Sequence, residues 1–122
     1  MKLLIFSSIM ALLSVSSDCN KKEQVKYKAR LEVKGICMNY TISLLEGEID
    51  STKIEKTWTD ETTGKTYEKA FGLGNPCDFP SDINTGDIFY FTLDTTEQKP
   101  CVVCQAYYPT PAKKLNIKVE TK

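Results

Sequence analysis

From Gln24 onward apolar and polar residues alternate. Val25, Tyr27, Ala29, Leu31 and Val33 take every second position, and Lys26, Lys28, Arg30 and Glu32 fill the places between. Successive side chains of a strand point to opposite faces, so this spacing predicts a strand with one buried and one wet face. Gly35 interrupts it. Met38 to Leu45 resumes the pattern, with Tyr40, Ile42 and Leu44 on one face, and Glu46-Gly47-Glu48 ends it. Lys53 to Thr59, carrying Ile54 and Trp58, is a weaker strand. Asp60 to Lys65 reads as a turn in which Gly64 is free to take a positive φ, and Thr66 to Phe71 as its antiparallel return.

Gly72 to Asp82 holds Gly72, Gly74, Pro76 and Pro80 and reads as loop, with at most a short helical turn near Ser81 to Asn84. Asn84-Thr85-Gly86-Asp87 is a turn. Ile88 to Leu93 is apolar on both faces, which points to a central strand. Cys101 to Tyr108 is a second such run, stopped by Pro109-Thr110-Pro111, and Leu115, Ile117 and Val119 form a last alternating strand. About 5–7 short strands with turns between them predict an all-β domain over residues 25–122. A small antiparallel barrel of the oligonucleotide/oligosaccharide-binding type is expected, with an immunoglobulin-like sandwich as the alternative.

The first residues follow a different rule. Met1-Lys2 is a positive start, Leu3 to Leu13 an apolar run, and Ser14 to Ser17 a small-residue exit. That is the pattern of a signal peptide over residues 1–18, too short to span a bilayer, which takes about 20 apolar residues. Cys19 stands at the exit, followed by the polar tether Asn20-Lys21-Lys22-Glu23-Gln24. This region, residues 1–24, resembles Bacteroidota-type lipoproteins. The resemblance implies acylation of Cys19, a membrane partner through that lipid anchor, and a position on the inner or outer membrane facing periplasm or cell surface. Asp18 stands where that class carries a small residue. This keeps open an ordinary cleavage after Ser17 and a secreted, soluble protein.

The chain has 16 basic and 16 acidic residues, and removing Lys2 and Asp18 with the leader keeps the balance. A neutral, mixed surface offers no electrostatic footing for nucleic acid. The chain has no histidine, so it can build neither a histidine-based nucleophile nor a histidine-ligated metal site. Gly72-Leu73-Gly74 lacks the helix and the lysine of a phosphate loop. The carboxylates at Asp60-Glu61 and from Asp78 to Asp82 read as solvated turns. No catalytic residue, cofactor or metal is expected, and the protein reads as a non-enzyme.

Four cysteines remain besides Cys19: Cys37, Cys77, Cys101 and Cys104. An even number in an exported domain points to two structural disulfides. Val102-Val103 between the last two favours a strand over the helix start that a redox pair needs. If 101–104 is extended, its ends lie about 10 Å apart. A disulfide needs Cα atoms within about 7 Å. Cys101 and Cys104 would then bond Cys37 and Cys77 rather than each other. A tight turn at Pro100 would instead allow Cys101–Cys104 with Cys37–Cys77, and the connectivity stays open.

Most aromatic residues are expected in the core, but Tyr107 and Tyr108, adjacent in a run beside prolines, cannot both point inward. They are the candidate binding surface for a protein or glycan ligand. Asn39-Tyr40-Thr41 has the form of an N-glycosylation site. Asp50-Ser51-Thr52 and Asp94-Thr95-Thr96 resemble the Asp-Ser/Thr-X signal for O-glycosylation in Bacteroidota. The expected function is binding or envelope structure. The alternatives are a thiol-redox or metal-handling protein using Cys101 and Cys104, and a small secreted enzyme inhibitor.

Overall fold

Strand β1 (Tyr27–Lys34) turns Tyr27, Ala29 and Leu31 into the core, as the alternation requires, while Val25 stays exposed ahead of it. The computed structural model describes residues 25–120, so the expected signal peptide, Cys19 and the tether lie outside the described residues. β1 runs antiparallel to β2 (Tyr40–Glu46) on one side and to β5 (Ile88–Leu93) on the other. β2 carries β4 (Thr66–Leu73), and β4 carries β3 (Glu55–Thr59) as the edge. Beyond β5 lies β7 (Ile117–Val119), and the two-residue β6 (Lys114–Leu115) pairs parallel with β4. The protein is all-β, a seven-stranded and almost wholly antiparallel sheet in the order β3-β4-β2-β1-β5-β7.

The β1–β2 register shifts twice, between Lys28 and Ala29 and between Leu31 and Val33. Such irregularities raise the local twist and coil a sheet. The expected last strand splits at Asn116, because β6 reaches β4 whereas β7 reaches β5. The C-terminal segment therefore bridges the two limbs, and the sheet is barrel-like without closing into a barrel. Asn75 secures this bridge. Its side-chain amide donates to the Ile117 carbonyl at 2.8 Å and accepts from the Ile117 N–H at 2.9 Å, continuing the ladder after β4 has ended. Gly74 permits the approach, since a Cβ there would collide with the Asn116 side chain and the Leu115 carbonyl.

Aromatic rings fill the hollow of the sheet. Phe91 stacks on Tyr27 at 5.3 Å between centroids and meets Phe71 at 5.8 Å and Phe89 at 6.1 Å. Phe79 extends the cluster from Phe89 to Tyr40. The Lys34 ammonium pins the following loop by donating to the carbonyls of Ser81 (3.1 Å) and Ile83 (2.9 Å) and to Asn84 Oδ1 (3.3 Å).

Three expectations need correction. Cys101 to Tyr108 forms no strand: residues 95–113 carry no regular structure. Pro100, Pro109 and Pro111 each lack a donor N–H, and so interrupt a ladder at both ends of the 101–108 run. β4 runs on to Leu73, beyond the expected end at Phe71. The short turn expected near Ser81 is present, with the Ile83 N–H reaching the Pro80 carbonyl at 3.4 Å, and 3-10 turns stand besides at Ile36–Met38 and Pro76–Asp78. β5 has a neighbour on each side and Thr92 on its second face is buried, yet Ile88 and Tyr90 on that face are exposed, so it is covered on both faces only near its end.

Candidate binding surface

Two disulfides join the irregular C-terminal stretch to the sheet. Cys37 bonds Cys104 with Cα atoms 5.0 Å apart, and Cys77 bonds Cys101 at 5.8 Å. Cys101 and Cys104 thus reach different partners, as an extended 101–104 requires, although no strand is formed. Neither is a free thiol, and they do not make a CxxC bond to each other. Among the described residues no group of three or more potential ligands is placed to hold a metal ion.

Cys37 and Met38 have φ of 56° and 60°, in the left-handed region that residues with a Cβ seldom occupy. Such a conformation costs about 1–3 kcal/mol at each residue and persists only where the surroundings enforce it. Here the enforcement is visible. Cys37 is bonded to Cys104, the Gly35 N–H donates to the Asn39 carbonyl at 3.1 Å, and Asn39 Nδ2 donates to the carbonyls of Ile36 (2.9 Å) and Ala106 (3.0 Å). Asn39 is therefore a strut between two loops.

Tyr107 and Tyr108 divide as adjacent residues should. Tyr107 is 78 % exposed. Tyr108 lays its ring over Gly35, where an added Cβ would sit 3.0 Å from it, and donates its hydroxyl to Asp60 Oδ2 at 2.7 Å. Asp60 is fully buried, which corrects its reading as a solvated turn residue. Its Oδ1 accepts from the Thr62 N–H at 2.8 Å and Thr62 Oγ1 at 2.6 Å. Burial pushes the Asp60 carboxyl up, but the bonds from Thr62, Tyr108 and Thr63 outweigh it and hold the group below the usual carboxylate range. The same Asp-x-Thr device recurs at Asp50-Thr52 and Asp94-Thr96. Ser51 and Thr95, at the centres of those turns, are exposed.

What this framework displays is apolar. Val102 is 94 % exposed, and Val103, Tyr107, Ile36 (59 %) and Met38 (42 %) are exposed around the Cys37–Cys104 bridge. No charged residue occurs between Lys99 and Lys113. The cores of protein interfaces are depleted of charge in the same way. A second apolar area, the depression beside Ile88 and Tyr90 on β5, is bordered by Lys28, Asp82 and Glu120. Lys28 lies 6.0 Å over the Tyr90 ring. That area is therefore an ordinary mixed surface.

Sequence reasoning singled out Tyr107, Tyr108 and the four cysteines, and the structure brings five of these six into one region. Cys77 anchors its far end. The reasoning missed Ile36 and Met38, which are remote in sequence and joined to the region by the Cys37–Cys104 bond, and it named Asn39 only for its glycosylation pattern. It missed Asp60 as well, and the repeated Asp-x-Thr pattern was the signal that could have found it. No protein-family model, curated protein or solved structure matches this chain.

Proposed function

We propose that the protein is an exported, lipid-anchored and non-enzymatic binding domain, held to the envelope through Cys19. It meets a protein partner with the charge-free stretch from Pro100 to Ala112. The two disulfides fit an extracellular or periplasmic setting. The observation that carries the binding reading is the exposure of Val102 and Tyr107 on a segment fastened at two points. A fastened loop loses little conformational freedom on docking, so more of its contact energy appears as affinity.

The test uses the full chain in its native envelope. Fatty-acid labelling marks the wild type and not Cys19→Ser. Cross-linking from residue 105 captures a partner that Val102→Asp together with Tyr107→Ser loses, while melting temperature is unchanged. An unlabelled wild type removes the anchor, and capture indifferent to both substitutions removes the binding surface.

A further inference from the structure

The binding reading leaves the class of partner open, and the geometry around Val102 narrows it. We infer that Cys101–Cys104 is a substrate-like loop that occupies the catalytic cleft of a serine endopeptidase, with the Val102 side chain in a primary pocket shaped for small apolar residues. The inference rests on the binding surface proposed above.

Three features of the segment support it. Val102 stands almost wholly clear of the fold, so it can enter a pocket without any rearrangement of its neighbours. Among the described residues, no main-chain hydrogen bond involves 101–105, so these N–H and C=O groups are free to pair with the edge of another protein. Extended peptides are recognised in this way, main-chain bonds giving affinity and side-chain pockets specificity. The third feature is the anchoring. Cys101 is tied to Cys77 next to the end of β4, and Cys104 is tied separately to Cys37 after β1. The Val102–Val103 peptide bond therefore lies between two independent covalent attachments.

That arrangement sets the fate of a cut made by the enzyme. Water would add its hydroxyl to the Val102 carbonyl carbon and a proton to the Val103 nitrogen, leaving a carboxylate and an amine. Neither end can depart, because each remains bonded through its own disulfide. The new termini stay at high effective concentration, which favours resealing the bond over releasing the products. A free peptide of the same sequence would leave as two fragments. The loop thus behaves as an inhibitor rather than as a substrate. Tyr107, Ile36 and Met38 lie on the Cys104 side and supply contacts outside the cleft.

The chemistry also sets specificity. Valine is short and β-branched, which suits the small pocket of an elastase-type enzyme. It suits neither the deep apolar slot of a chymotrypsin type nor the acidic pocket of a trypsin type.

The experiment measures hydrolysis of small chromogenic peptides by one enzyme of each type, with the full chain added in detergent. Competitive inhibition of the elastase type is expected, with a constant of about 1 μM or lower. Val102→Asp should weaken it by about 100-fold, as loss of a central contact residue does. Val102→Lys should transfer inhibition to the trypsin type. Both variants must keep the wild-type melting temperature, which the near-complete exposure of Val102 allows. After long incubation, the chain should be intact or nicked only between Val102 and Val103, and still inhibitory. No inhibition of any of the three enzymes at about 10 μM protein would overturn the inference, as would inhibition unaffected by Val102→Asp. Either outcome leaves the binding surface standing if envelope capture still depends on Val102 and Tyr107, and sinks it too if capture does not.

Discussion

The run Ile88 to Leu93 and the run Cys101 to Tyr108 have similar apolar content and opposite fates. The first is β5, with Phe89 and Phe91 in the core and β1 and β7 on either side. The second pairs with nothing and turns its valines outward. The difference lies in the backbone. β5 begins after a turn whose Asp87 carbonyl and Gly86 N–H already bond Leu31, so its ladder to β1 starts in register. Cys101 to Tyr108 is bounded by prolines and held by side chains instead: two disulfides, the Asn39 strut and the Tyr108–Asp60 bond. Apolar character leads to burial where the main chain can join a ladder. Where it cannot, covalent and side-chain links can fix apolar groups at the surface.

Two substitutions press on this contrast from opposite sides. Phe91→Ala strikes the sheet, removing a fully buried ring that touches Tyr27, Phe71 and Phe89. It should cost about 3–5 kcal/mol in urea unfolding. A loss below about 1 kcal/mol would mean that the aromatic cluster does not hold the sheet together. Replacing Cys37 and Cys104 together with serine strikes the loop. By chain entropy, a bridge across a separation of 67 residues contributes about 4 kcal/mol, and the Cys77–Cys101 bridge, across 24, about 3.5 kcal/mol. The Cys37/Cys104 variant should therefore melt lower, and a protease should now cut and release the 102–108 stretch while the sheet stays protected. A loop that remains as resistant as in the wild type would show that the Cys77–Cys101 bridge and the side-chain bonds suffice to fix it.

Part of the sheet was legible in the alternation, because burial on one face imposes period two directly on β1, whereas the β3–β4 hairpin, half-buried to exposed over most of its length, was marked by its turn at Asp60 to Lys65. What was not legible is where strands end and how they close. Nothing local marks the break at Asn116, which exists because β4 and β5 stand far enough apart to need separate partners. The surface divides similarly. Geometry along the chain made the pairing of Cys101 and Cys104 turn on whether 101–104 is extended and left the connectivity open, and it set Tyr107 and Tyr108 to face differently. It could not show which tyrosine is exposed, since that depends on Gly35 leaving room for a ring. Nor could it show that Asp60 is buried, since the covering hydroxyl comes from Tyr108, 48 residues away.

The smallest expected effect tests that last link. Tyr108→Phe keeps the ring over Gly35 and removes only the hydroxyl, so Asp60 loses one donor while Thr62 still supplies two. A hydrogen bond to a charged group is worth about 1.5–3 kcal/mol, and with two donors left the lower end applies. The pH dependence comes from the direction of the Asp60 shift. Its carboxyl is held below the usual range in the folded chain, so its contribution is fully present above the unfolded value of about 3.9. It is lost as pH falls through the lower folded value. Asp50 and Asp94 are lowered chiefly by Thr52 and Thr96 and lose their contributions in the same acid window, but they are unchanged by the substitution. The difference between wild type and Tyr108→Phe therefore isolates the Asp60 link. Urea unfolding at steps from about pH 6 to about pH 2 should show the two proteins separated by about 1.5 kcal/mol at the upper end and converging below about pH 4. Parallel curves down to the most acid point would mean that the hydroxyl does not bond the ionised carboxylate. The loop would then owe its position to the disulfides and to Asn39 alone.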